Sequence, residues 1–153
     1  MAQLLQIAVI SDTHDFLPSN LLQRLSDADE IWHLGDVCDP EILRRIRSLE
    51  KPIQVVKGNM DFNPEWPKTL ELQRNGRTFV LQHKPPVAIA HAVDAHLFGH
   101  LHYPVSETRD GTKLLNPGAI NGPRNNSVAS FAWLKIEENG SWNWQTESLQ
   151  RYN

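Results

Sequence analysis

Gln3-Leu4-Leu5-Gln6-Ile7-Ala8-Val9-Ile10 runs without a break into Ser11-Asp12-Thr13-His14. Apolar residues follow one another here instead of alternating with polar ones, which predicts a strand covered on both faces, as in a parallel sheet with layers on either side. No basic segment precedes the run, so it reads as a strand and not as a signal peptide. Asp12 and His14 can turn toward one point only if the strand has ended and the backbone is already turning.

Outward from this stretch, strands and helices alternate. Ser19 is placed to cap a helix running to about Asp27, with Leu21, Leu22 and Leu25 on its buried face. Glu30 to Leu34 reads as a second strand. Asp39-Pro40-Glu41 is a helix start, with a capping carboxylate, proline at the first position and an acid in the first turn. Ile42, Leu43, Ile46 and Leu49 supply its apolar stripe. Ile53 to Lys57 makes a third strand, giving a β-α-β-α-β unit whose right-handed crossovers lead to a parallel sheet.

The second half changes character. Asn75-Gly76, Asp110-Gly111 and Asn139-Gly140 each stand between strand-like segments and predict hairpins. The expected pairs are Leu70 to Arg74 with Arg77 to Gln82, Val105 to Thr108 with Thr112 to Leu115, and Ser127 to Ile136 with Ser141 to Ser148. Ala95 to Gly99 is a further buried strand. The expected fold is α/β, two stacked mixed sheets flanked by helices, in a single domain spanning residues 1–153. Asn116-Pro117-Gly118 to Asn126 reads as a polar loop between strands, of the type that lines sites.

The 153 residues carry a formal net charge of −3 and a pI near 6.1, which gives no basic field for nucleic acid. No apolar stretch is long enough to span a bilayer, and the expectation is a soluble, cytoplasmic protein. Cys38 is the single cysteine, so neither a disulfide framework nor a cysteine zinc site is available. Seven histidines are unusual for this length. Four of them lie in or near the elements that follow.

Asp12-Thr13-His14, Gly35-Asp36, Gly58-Asn59 and Gly99-His100-Leu101-His102 each come just after a predicted strand, so a parallel sheet would carry all four to the carboxyl edge, where open α/β sheets place their sites. Gly35 lets the backbone approach closely. His100 and His102, read as an extended stretch, point the same way and could reach two neighbouring ions. Carboxylate, imidazole and amide donors without thiolate suit manganese, iron, zinc or nickel. Two such ions about 3.5–4 Å apart can polarise a phosphoryl oxygen and generate hydroxide at neutral pH.

In this order Asp12-x-His14, Gly35-Asp36-x-x-Asp39, Gly58-Asn59-x-Asp61, His83 and Gly99-His100-x-His102 resemble the calcineurin-like metallophosphoesterases. Asn116-Pro117-Gly118 and Pro123-Arg124 are similar to the small prokaryotic YfcE-like branch. The resemblance implies an αββα sandwich and a dinuclear phosphoesterase, with a phosphodiester or other small phosphate ester or nucleotide as substrate. Asp12, His14, Asp36 and His102 would hold one divalent ion and Asn59, His83 and His100 would join a bridging Asp36 on the second, manganese being favoured over iron, zinc or nickel. A bridging hydroxide would attack phosphorus in line, with Asp36, Asn59 and His100 closest to the chemistry.

Three positions depart from the family pattern. Met60 stands where many relatives have a histidine that protonates the leaving group, although the YfcE-like branch commonly lacks it too. His83 is followed by Lys84-Pro85-Pro86 where relatives usually have glycine and sometimes another histidine, and the short distance to Gly99 predicts a shortened helix beside the site. Leu101 replaces a threonine. Leu101 is expected to be harmless, while the segment after His83 and the missing acid at Met60 leave room for an alternative, a binding scaffold that keeps the fold and has lost turnover.

The remaining candidates have plainer readings. Asp39 is a helix cap, His33 a core residue, Cys38 a small buried residue and Asp61 a turn cap, although its carboxyl could also serve the leaving group in place of the missing histidine. His91 and His96 match no motif. Trp32, Trp66, Trp133, Trp142 and Trp144 read as core or interface aromatics, and an exposed cluster on the last hairpin would point to self-association.

Overall fold

A computed structural model describes residues 4–89 and 91–149; Gln3, where the first strand was expected to begin, lies outside the described residues. Ten strands and two helices follow in the order β1 Leu5–Ile10, α1 Ser19–Leu25, β2 Glu30–His33, α2 Pro40–Arg47, β3 Ile53–Val55, β4 Thr69–Arg74, β5 Arg77–Gln82, β6 Ala95–Leu97, β7 Pro104–Arg109, β8 Thr112–Pro117, β9 Ser130–Ile136 and β10 Trp142–Ser148. They form two five-stranded mixed sheets, ordered β10-β9-β1-β2-β3 and β4-β5-β6-β8-β7. In the first, β1, β2 and β3 run parallel while β9 and β10 run antiparallel. In the second, β5, β6 and β8 are parallel and β4 and β7 are antiparallel edges.

The unbroken apolar run of β1 is explained by its two neighbours. Ile7 and Val9 face the second sheet in a core shared with Trp32, Phe79, Leu81, Leu97 and Leu115. Ala8 and Ile10 face the other way, against Leu21 and Leu25 of α1 and Ile42, Leu43 and Ile46 of α2. Both helices therefore cover the outer face of the first sheet. On the second sheet, β4 alternates exposed and half-buried residues along its length, the pattern of an edge strand beside water. The helix expected between His83 and Gly99 is not shortened but absent among the described residues there. Lys84-Pro85-Pro86 removes two backbone donors and fixes two φ angles where that helix would begin.

The Asp39 side chain accepts the Glu41 N–H at 2.9 Å, as the cap reading requires. Ser19 does not cap: it is the first helical residue, preceded by Pro18, and α1 has no side-chain cap. All three hairpins form. Asn75-Gly76 and Asp110-Gly111 have positive φ at both positions, the mirror-image turn that matches strand twist. The third connection is longer, because Trp142 pairs with Ile136. Trp142 and Trp144 are half-buried against the inter-sheet core, so the last hairpin carries no exposed tryptophan cluster. Among the described residues no helix is long and apolar enough to cross a membrane.

Candidate metal centre

The predicted elements do meet, but they come from two sheets and not one. Asp12, His14, Asp36 and Asn59 follow β1, β2 and β3 of the first sheet; His83, His100 and His102 follow β5 and β6 of the second. Backbone bonds lock these loops together. The Asp12 N–H donates to Gly35 O at 3.0 Å, the His14 N–H to Asp36 O at 3.0 Å, and the Gly99 N–H to His83 O at 2.8 Å.

The chain passes through the site in a left-handed conformation. Asp12, His14, Asp36, His100 and His102 all have φ between 41° and 72°. Side chains other than glycine avoid this region, and such strain gathers at functional sites. It also corrects the expectation for His100 and His102, which are not extended. The backbone turns at both, so the rings part: His102 joins His14, while His100 joins His83 and Asn59.

Each carboxylate has one oxygen held by its surroundings and the other turned toward imidazole nitrogens. Asp12 Oδ2 accepts from Ser11 Oγ at 2.6 Å and from the His100 N–H at 3.0 Å. Asp12 Oδ1 is buried and has no hydrogen-bond partner. It faces Nε2 of His102 at 3.3 Å, His14 at 3.7 Å and His83 at 3.8 Å. Asp36 Oδ1 accepts the Met60 N–H at 2.9 Å, and Asp36 Oδ2 lies 3.3 Å from His83 Nε2 and 3.7 Å from His14 Nε2.

The histidine tautomers follow from their outer partners. His83 Nδ1 and His102 Nδ1 each sit 2.9 Å from a carbonyl, of Leu34 and of Gly122. A carbonyl only accepts, so both Nδ1 atoms carry the hydrogen and each Nε2 is turned inward toward the carboxylates, the usual support of a metal-binding histidine. His100 uses its other nitrogen, with Nδ1 3.2 Å from Asn59 Oδ1 and 3.3 Å from His83 Nε2.

Burial would depress the His83 pKa, but its hydrogen bond to Asp36 and the charge of Asp12 outweigh this and raise it. Burial pushes Asp36 up, yet the His83 bond and the Met60 N–H leave its pKa lowered. His100 is lowered by burial and by the nearby His83 and Lys84 charges, which keeps its lone pair available at neutral pH.

Two groups of donors are close enough to share an ion, Asp12 with His14 and His102, and Asp12 with Asp36 and His83. An unpartnered carboxylate oxygen ringed by three imidazole nitrogens is costly unless a cation satisfies it. The donor set is that of a divalent transition metal. The residues present fit such ions.

Several contributors were not foreseen. Asp61 is 5% exposed and caps no turn before Asn63; its Oδ2 accepts the N–H groups of Asp36 at 2.8 Å and Gly58 at 2.9 Å, and its Oδ1 that of Cys38 at 3.0 Å. Cys38 is only half-buried, again with positive φ, and its Sγ lies 3.5 Å from His14 Nδ1. Burial and the surrounding carboxylates push its thiol up to about 11, so it stays protonated. The loop after β8, expected to be of the type that lines sites, does reach the centre: the Arg124 N–H donates to His102 O at 2.8 Å, beside the Gly122 carbonyl that orients the ring. Asn116 and Pro117, expected in that loop, belong to β8.

His33 is core, as expected, but also a tie between loops. Its Nδ1 accepts the Gly35 N–H at 3.0 Å, so its Nε2 carries the hydrogen and donates to Thr13 Oγ1 at 3.0 Å. His91 pairs with Glu71 at 2.6 Å.

Residues 5–139 match the model of the calcineurin-like phosphoesterase superfamily domain. The chain belongs to this family. It is 34% identical to a probable metallophosphoesterase of Methanocaldococcus jannaschii, over 86% of this chain and 76% of that one. The fold is that of YfcE, a phosphoesterase from E. coli, with TM-score 0.74 and 21% identity over 95% of this chain and all of the other. It is equally that of Vps29 from Entamoeba histolytica, solved in complex with zinc, with TM-score 0.73 and 22% identity over 94% of this chain and 98% of the other. Family membership makes the cluster of Asp12, Asp36 and the histidines the candidate centre of a metal-dependent phosphoesterase.

Proposed function

We propose that this chain, as a single domain, hydrolyses phosphodiesters and other activated phosphate esters at a dinuclear centre, on a small phosphate-ester or nucleotide substrate in the cytoplasm. The observation that carries the reading is the inward aim of Asp12 Oδ1 and Asp36 Oδ2, each facing imidazole nitrogens from both sheets at 3.3–3.8 Å. Asp12, His14, Asp36 and His102 would hold one ion; Asp36, Asn59, His83 and His100 would hold the other, with manganese preferred over iron, zinc or nickel. Divalent ions bound there would supply a hydroxide for in-line attack and neutralise the phosphoryl oxygens. Asp36 Oδ2 faces His83 of one histidine pair and His14 of the other, which supports a bridging role. His100 and Asn59, the more open pair, would orient the phosphoryl group.

The preference for acidic leaving groups follows from Met60. Its side chain is 48% exposed and cannot donate a proton, so departure of a poor leaving group gains nothing from it. A second reading has one observation in its favour. Phe62 and Val87 are 87% and 99% exposed, in the segments after Asn59 and His83, as a protein-binding scaffold would have them.

Manganese-reconstituted protein is expected to hydrolyse bis-p-nitrophenyl phosphate and to carry about two metal equivalents per chain. Asp36→Asn is expected to abolish the hydrolysis. Full activity in that variant overturns the mechanism, and a stably folded protein that takes up no metal supports the scaffold.

A further inference from the structure

We propose that the pocket beside Asn59 and His83 binds a second phosphate of the substrate, so that the enzyme prefers phosphate compounds carrying two phosphate groups over those carrying one. This rests on the phosphoesterase reading and narrows its substrate class.

The pocket is about 570 Å³ and shares Asn59 and His83 with the centre. Lys57, Lys68 and Lys84 line its remaining wall, three of the six lysines in a chain whose net charge is −3. The fold brings them together from three separate segments. Lys57 follows β3 and its N–H donates to Pro67 O at 2.7 Å, which holds it beside Lys68. Thr69 pairs with Gln82 in the β4–β5 ladder, so Lys68 and Lys84 leave the same end of that hairpin.

This positive charge is not spent within the protein. Among the described residues, none of the three lysine side chains forms an ion pair or a side-chain hydrogen bond. The pocket's one carboxylate, Asp61, is buried and has both oxygens occupied by the backbone N–H groups of Asp36, Gly58 and Cys38. Unpaired ammonium groups around a polar concavity concentrate anions, and phosphate accepts several charged donors at once. A substrate whose reacting phosphoryl group rests against Asn59 and His100 would extend its second phosphate over His83 into the lysines.

The test is titration calorimetry of metal-loaded protein with adenosine 5′-monophosphate, adenosine 5′-diphosphate and adenosine 3′,5′-bisphosphate. At least one of the two-phosphate probes is expected to bind about tenfold or more tightly than the monophosphate, with the preference shrinking as salt rises. The K57Q/K68Q/K84Q variant is expected to lose the preference. Lys68 and Lys84 are exposed, so K68Q/K84Q spares the core and is expected to lose at least half of it on a logarithmic scale should the triple variant fold poorly. Equal affinity for all three probes, or a preference that survives the substitutions, overturns the proposal. Turnover of bis-p-nitrophenyl phosphate, which has no second anionic group, is read separately: its failure counts against the phosphoesterase reading, and loss of the binding ratio counts against the lysine pocket.

Discussion

Asp61 Oδ2 accepts the Asp36 N–H at 2.8 Å, so one buried carboxylate fixes the backbone that aims another at the metal centre. The same carboxylate takes the N–H groups of Gly58 and Cys38, and thereby joins the loop after β2 to the loop after β3.

Asp61→Asn should loosen this joint. An amide offers one acceptor oxygen where the carboxylate offers two, and its NH₂ must face a backbone donor. A buried donor left unpaired costs roughly 1–3 kcal/mol. Supporting residues around metal ligands are commonly worth about 10–100-fold in affinity. The expected result is a lower Tm together with at least tenfold weaker manganese binding by calorimetry. Unchanged metal affinity in a destabilised variant would reduce Asp61 to a structural part.

This joint also marks where sequence reading stops. The strands, the second helix and the hairpins were legible because hydrophobic period, Asp39-Pro40 and the Asn-Gly and Asp-Gly pairs are local signals. Asp12, His14, Asp36, Asn59, His100 and His102 were legible as candidates because each follows a strand in a short motif, and His83 only through its place in the family series. The role of Asp61 was not, since its partners at Asp36 and Cys38 stand 25 and 23 residues away and are backbone groups, which no residue type announces. The left-handed turns at His100 and His102 were hidden for a related reason. Both residues are pinned by tertiary bonds, to Asp12 and to the Gly122 and Arg124 backbone, and these override local preference. Ser19 misled because proline immediately before it occupies the capping position.

His33 predicts an acid sensitivity. Burial, reinforced by the charge of His83, pushes its pKa from the ordinary 6.5 down to about 3. Above 6.5 both folded and unfolded chains hold it neutral, and its contribution to stability is complete. As pH falls below 6.5 the unfolded chain takes up the proton while the folded one refuses it until about 3, so stability is lost across that window. The loss is on the order of a few kcal/mol. Urea unfolding at stepped pH should show this slope in the wild type and a shallower one in His33→Gln. Identical slopes would remove His33 as the source.

Gly58 and Gly76 separate two uses of glycine. A Cβ on Gly58 would collide with the backbone N and carboxylate of Asp36, and backbone cannot rotate away. Gly76 stands at φ +80° in the β4–β5 turn, with open space where its Cβ would be. Gly76→Ala should therefore cost about 1–2 kcal/mol through left-handed strain alone, and leave manganese affinity untouched. Gly58→Ala must move the Asp36 loop. It should cost about 1–3 kcal/mol and weaken metal binding as well, because the displaced atoms include a ligand carboxylate. Calorimetric metal titration beside thermal unfolding distinguishes the two. Equal metal affinity in both variants would mean that the Asp36 loop yields without cost, and that the close approach of Gly58 to Asp36 is not what positions the centre.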